Sequence, residues 1–161
     1  MAHEDLQTYL NDHLAGSLMA LKVLDRLVAG CEDVADRQFF ADLQREIEED
    51  RSVVVRLMER VEGRPGALRQ AGAWGAELLA QVKLRLDDPG GNRLAYFEAL
   101  EGLSLGILGK RALWRALAAT ARQVPAVGGE DYDRLIARAD DQHTRVETRR
   151  LAAAPLLFHR G

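Results

Sequence analysis

Eight ionisable residues, spread over four separate stretches, have the types and spacing to hold a transition metal. They are His13, Glu46 and Asp50, Glu98 and Glu101, and Asp140, His143 and Glu147. Four of them (His13, Asp50, Glu101 and His143) stand where helical spacing asks for Leu or Val on an inward seam. A charge or imidazole taken out of water costs free energy unless it is paired or ligates a metal. Carboxylates and imidazoles drawn from four helices are the donor set that suits iron or manganese. Asp140 and His143 form an Asp-x-x-His pair on one helix face. The same residues also support a metal-free reading. There His13 and Asp50 form a hydrogen-bonded pair, Glu101 pairs with Arg150, and Lys110 pairs with Asp140. Such pairs specify packing without adding much stability.

The elements that must position these groups are all helical. Glycine and proline divide the chain into five stretches, at about 5–29, 34–62, 67–86, 92–122 and 130–154. The first carries Leu6, Leu10, Leu21, Leu24 and Val28 at helical spacing, and Gly30 supplies its stop. Asp33 is the expected N-cap of the second, whose seam is Phe40, Leu43, Ile47, Val54, Leu57 and Val61, with Gly63 just past its end. The third places Trp74, Leu78 and Val82 on one side. The fourth takes Leu94, Phe97, Leu105, Leu108 and Ala112 as its seam, with Trp114 off it. The fifth opens on Glu130, Asp131 and Asp133 and closes on Arg145, Arg149 and Arg150, which suits the helix dipole. Pro155 is expected to stop it, and Leu156-Leu157-Phe158 to dock back on the body.

Connection lengths imply two antiparallel hairpins, the first two stretches and the last two, joined by a long crossover with its own helix. Within that frame the polar residues share a depth. His13 lies 18 residues before Cys31 and Asp50 lies 19 after it, so both stand about 28 Å from that tip at a rise of roughly 1.5 Å per residue. Around Pro125, Glu101 is 24 residues before, Glu147 is 22 after, and His143 is 18 after.

The pattern resembles the ferritin-like superfamily, which includes ferritins, rubrerythrins and small bacterial stress-associated bundles. The stretches ALEGLSLGILGKRALWRAL and RADDQH are similar to those of small bacterial ferritin-like proteins. In the di-iron members, two helices each give a Glu and two give Glu-x-x-His. The resemblance places His13 at the first Glu and Asp50 or Glu46 at the first Glu-x-x-His. Glu101 or Glu98 takes the second Glu, and Asp140 with His143 the second pair. The chain departs from that pattern on two helices. The first has no inward Glu, and the second has Glu49, Ser52 and Val53 where a His would follow Glu46, Glu49 and Asp50 by three.

Bulk properties bound the rest. At 161 residues, 47% hydrophobic and 29% charged, the chain is expected to be a single domain over 1–161. The net charge of -3, with acids alternating with arginines as in Arg45-Glu46 and Glu59-Arg60, argues against a nucleic-acid surface. The single Cys31 excludes an internal disulfide and a cysteine-rich zinc site. The start, MAHEDLQTYL, is too polar for a secretory leader, and no apolar run reaches the roughly 20 residues that span a bilayer. A cytoplasmic protein without membrane partner is expected.

The expected architecture is thus all-α: a ferritin-like four-helix bundle with an extra crossover helix. The first functional expectation is a core holding one or two iron or manganese ions for redox or stress-related chemistry. The alternative is a metal-free bundle acting as a dimeric interaction or scaffold protein. Trp74 and Trp114 are expected to be packing anchors, with a homodimer interface as their second reading, and the crossover helix is a candidate for an apolar ligand pocket.

Overall fold

Long amphipathic stretches with firm punctuation give four α-helices in the computed structural model, which describes residues 2–63 and 93–159. They are α1 (Ala2–Gly30), α2 (Val34–Glu62), α3 (Arg93–Thr120) and α4 (Tyr132–Phe158). A single 3-10 turn, Pro125–Val127, lies between α3 and α4. The expected helix over 67–86, its Trp74 and the crossover lie outside the described residues. No helix among the described residues is long and apolar enough to cross a membrane.

Local chemistry sets the boundaries. The Asp33 carboxylate accepts from the Asp36 backbone N–H at 2.9 Å, satisfying one of the donors left free at the start of α2. Gly63 ends α2 in the left-handed region at φ 64°, where a side chain would be strained. Asp131 caps α4 in the same way, accepting from the Arg134 N–H at 3.0 Å.

Cross-helix contacts fix the directions. Gln44 on α2 reaches Asp25 on α1, while Asp50 lies across from His13, so α1 and α2 are antiparallel. Arg60 meets Glu130 and Asp36 meets Arg149, so α2 and α4 are antiparallel. Phe40 meets Tyr96 and Asp50 meets Lys110, so α2 and α3 run in parallel. Consecutive parallel helices need a return of full helix length between them. In the sequence, 29 residues separate Gly63 from Arg93.

The core runs through all four helices. The expected α2 seam is buried in full, from Phe40 at 0% exposure to Val61 at 4%. On α1, Leu10, Leu14, Leu24 and Leu27 are buried, with Leu6, Leu21 and Val28 packed against them.

The expected seam of α3 is on the wrong side. Leu94, Leu105 and Leu108 are exposed, and Leu105 is 63% accessible. The buried seam is Ala99, Leu100, Leu103, Ile107, Leu113, Trp114 and Leu117. Both faces of α3 carry leucines, so spacing alone does not choose between them. Burying Trp114 removes far more apolar surface than another leucine would.

The end of α4 also differs from expectation. Pro155 lies inside the helix, which continues to Phe158 and closes with the His159 N–H donating to the Pro155 carbonyl at 3.0 Å. A proline forfeits one backbone bond, here the one to the carbonyl of Leu151, a residue exposed near the helix end. The tail does not dock as a whole. Phe158 meets the Phe97 ring edge-on at 5.6 Å, yet Leu156 and Phe158 stay exposed.

Candidate functional site

A carboxylate at the centre of α2 organises the polar interior. Asp50 follows Ile47 by one helical turn and shares its inward face, and only 1% of it is accessible. One oxygen accepts from Lys110 Nζ on α3 at 2.5 Å, and the other accepts from the Arg138 guanidinium on α4. Gln142, fully buried one turn further along α4, joins the group. Its Oε1 accepts from Lys110 at 2.5 Å, and its Nε2 donates to Glu46 at 3.0 Å and more weakly to Asp50 at 3.4 Å.

The network then runs outward to water. Glu46 accepts from Arg145 at 2.6 Å, Arg145 donates to Asp141 at 2.7 Å, and Arg138 donates to Glu49 at 2.9 Å. Burial pushes the Lys110 ammonium pKa down, and the Asp50 charge beside it works in the opposite direction. In a low-dielectric interior the attraction within such a pair is strong, but it repays the loss of water only where the remaining lone pairs and protons are satisfied. Gln142 does that, because an amide both donates and accepts.

The expected ligand residues separate into groups. Asp50 and Glu46 belong to this network. Glu101 is exposed and pairs with Arg150 at 3.2 Å, as expected from their heights. Glu147 also binds Arg150, at 2.6 Å, and accepts from the Ser104 hydroxyl at 3.2 Å. The Arg150 hydrogen bond holds the Glu147 carboxyl below the usual range. Asp140 pairs with Arg111 at 2.7 Å and not with Lys110, because Lys110 points inward to Asp50 while Arg111 follows the outer surface. His143 is half-buried one turn from Glu147, and Glu98 is exposed on α3.

His13 does not bond to Asp50, whose oxygens are taken by Lys110, Arg138 and Gln142. Its ring instead meets Tyr9 edge-on at 4.8 Å. Burial lowers the His13 pKa, against a smaller raising effect of Asp12. His13 and Asp50 do share a space, since both line one cavity between α1, α2 and α3.

These residues do not fit a di-metal centre of the Glu and Glu-x-x-His type. A divalent ion at Asp50 would meet an ammonium and a guanidinium already bonded to both carboxylate oxygens. Glu46, Glu101, Asp140 and Glu147 each carry an arginine partner. Among the described residues, no three His, Cys, Asp or Glu side chains gather as a metal site.

The residues that complete the network were legible only in part. Leu135, Ala139, Gln142 and Val146 recur at helical spacing, which places Gln142 on the α4 seam. Leu103, Ile107, Lys110, Trp114 and Leu117 do the same for Lys110 on α3. Comparison with protein-family models, with curated proteins and with solved structures finds no match to this chain.

Proposed function

We propose that this chain is a ferritin-like helical bundle that works by binding, with its own cations in the position a metal would take, and not by iron-linked redox chemistry. One observation carries the reading: Asp50, the deepest carboxylate, is bonded by Lys110, Arg138 and Gln142 from two other helices. The parallel course of α2 and α3, separated by a long connection, supports the ferritin-like arrangement. Exposed Leu94, Leu105 and Leu108 on α3 support self-association into a homodimer.

One feature favours the metal-bound reading, in which the core holds iron or manganese. His13 and Asp50 face the same cavity, and displacement of Lys110 would free a carboxylate beside an imidazole.

Metal analysis separates the two. Untagged protein, purified and then loaded anaerobically with iron or manganese, is expected to retain well under one equivalent after desalting. Retention of one or two equivalents, lost in Asp50→Asn, would overturn the proposal. Sedimentation of the same preparation tests the dimer, and a single species of monomer mass would rule it out.

A further inference from the structure

The cavity between α1, α2 and α3 is unaccounted for by the ion-pair network. It has a volume of about 220 Å³. Its walls are Ala20 on α1, Ile47 and Val54 on α2, and Leu103, Ile107 and Leu113 on α3. Glycines leave it hollow: a Cβ added at Gly16, Gly106 or Gly109 would meet no atom within 4 Å. An apolar cavity of about 150 Å³ holds one benzene, so this one has room for roughly nine non-hydrogen atoms.

The polar groups at its wall decide what such a molecule carries. Asp50 and Lys110 are satisfied by each other and by Gln142, so neither calls for a ligand charge. Arg51 is different. It lines the cavity, its Nε is buried without a hydrogen-bond partner, and no carboxylate of the described residues pairs with it. A buried guanidinium nitrogen without an acceptor is costly. Its fork matches a carboxylate, which can take two parallel bonds. Asp12 also lines the cavity, but it is exposed to water, where its charge is screened.

We propose that this cavity binds a small monocarboxylate, with its carboxylate on Arg51 and its hydrocarbon body among Ile47, Val54, Leu103, Ile107 and Leu113. The inference rests on the reading of the bundle as a binding protein whose Asp50 is neutralised from within. An amine is disfavoured because the one buried acid at the wall already has two cations. A neutral alcohol would offer Arg51 a single acceptor and no charge.

The test is titration of the full chain, followed by calorimetry and by methyl NMR shifts, with hexanoate, 1-hexanol, hexylamine and acetate. Hexanoate is expected to bind at one site, at least roughly tenfold tighter than hexanol or hexylamine, with acetate weaker still. Arg51→Gln is expected to lower hexanoate affinity about tenfold and leave hexanol unchanged. Gly106→Leu should fill the cavity and remove binding of both, and an unchanged circular dichroism spectrum would show that it still folds. Equal affinity for acid and alcohol, tighter binding of the amine, or no hexanoate binding at about 10 mM would overturn the site. Those outcomes in a preparation that also binds no metal overturn the ligand assignment alone. Stoichiometric metal retained alongside hexanoate binding would overturn the metal-free reading and leave the carboxylate site standing.

Discussion

Lys110 Nζ sits 2.5 Å from a carboxylate oxygen of Asp50, and the two side chains are only 14% and 2% accessible. The pair ties α3 to α2, and Arg138 brings in α4 at the other Asp50 oxygen. Removing one member strands the charge of the other, whereas removing both leaves only Arg138, which keeps Glu49 as its partner. Asp50→Asn is therefore expected to cost about 3 kcal/mol in urea unfolding. Lys110→Met should be costly alone, and the double variant less destabilised than the sum of the singles by about 1–3 kcal/mol. Strict additivity would show that the pair contributes no coupling.

Gln142 is the neutral member on which the network depends. It accepts from Lys110 and donates to Glu46 and Asp50 while fully buried. Gln142→Leu keeps the volume but leaves those groups without their amide partner, so a loss of about 2 kcal/mol is expected in thermal or urea unfolding. Gln142→Glu should be worse at neutral pH, because it adds a third carboxylate beside Asp50 and Glu46. A neutral outcome for Gln142→Leu would mean that water replaces the amide without cost.

The contrast between α2 and α3 explains how far the sequence could be read. On α2 the apolar residues occupy one face and charges the other, so the spacing of Phe40, Leu43, Ile47, Val54, Leu57 and Val61 identifies the buried face. On α3 leucines lie on both faces, and only the partners of the helix decide which is buried. The same limit applied to the site. Asp50 stood out as a charge on a seam, but its partners Lys110, Arg138 and Gln142 come from helices distant in sequence. Read through the α3 face of Leu94 and Leu105, Lys110 points to solvent. Placed with Leu103, Ile107 and Trp114, it points at Asp50.

His13 makes the fold sensitive to mild acid. Burial lowers its pKa from the ordinary 6.5, so the folded state prefers the neutral ring. Below the unfolded value, and down to the folded one, the unfolded chain binds more protons, and stability falls as pH drops through that window. The charges facing the same cavity are Asp12 on α1, Asp50 and Arg51 on α2, and Lys110 on α3, and they remain in any His13 variant. His13→Gln should flatten the stability profile below about pH 6.5, the ordinary imidazole value, and leave the plateau above it nearly unchanged. An unaltered slope would assign the acid sensitivity to other groups.

The orientation of α3 is open to direct test, because its two faces predict opposite responses. Trp114 is fully buried beside Tyr132 at a ring distance of 6.4 Å, whereas Leu105 is 63% exposed. Trp114→Ala removes the largest side chain of the core and is expected to cost about 3–5 kcal/mol. Leu105→Ser changes only exposed surface and should stay within about 0.5 kcal/mol in dilute unfolding measurements. The reverse pattern would require α3 to turn its Leu94–Leu105 face inward. Lys110 would then swing away from Asp50, and the ion pair across α2 and α3 would be lost with it.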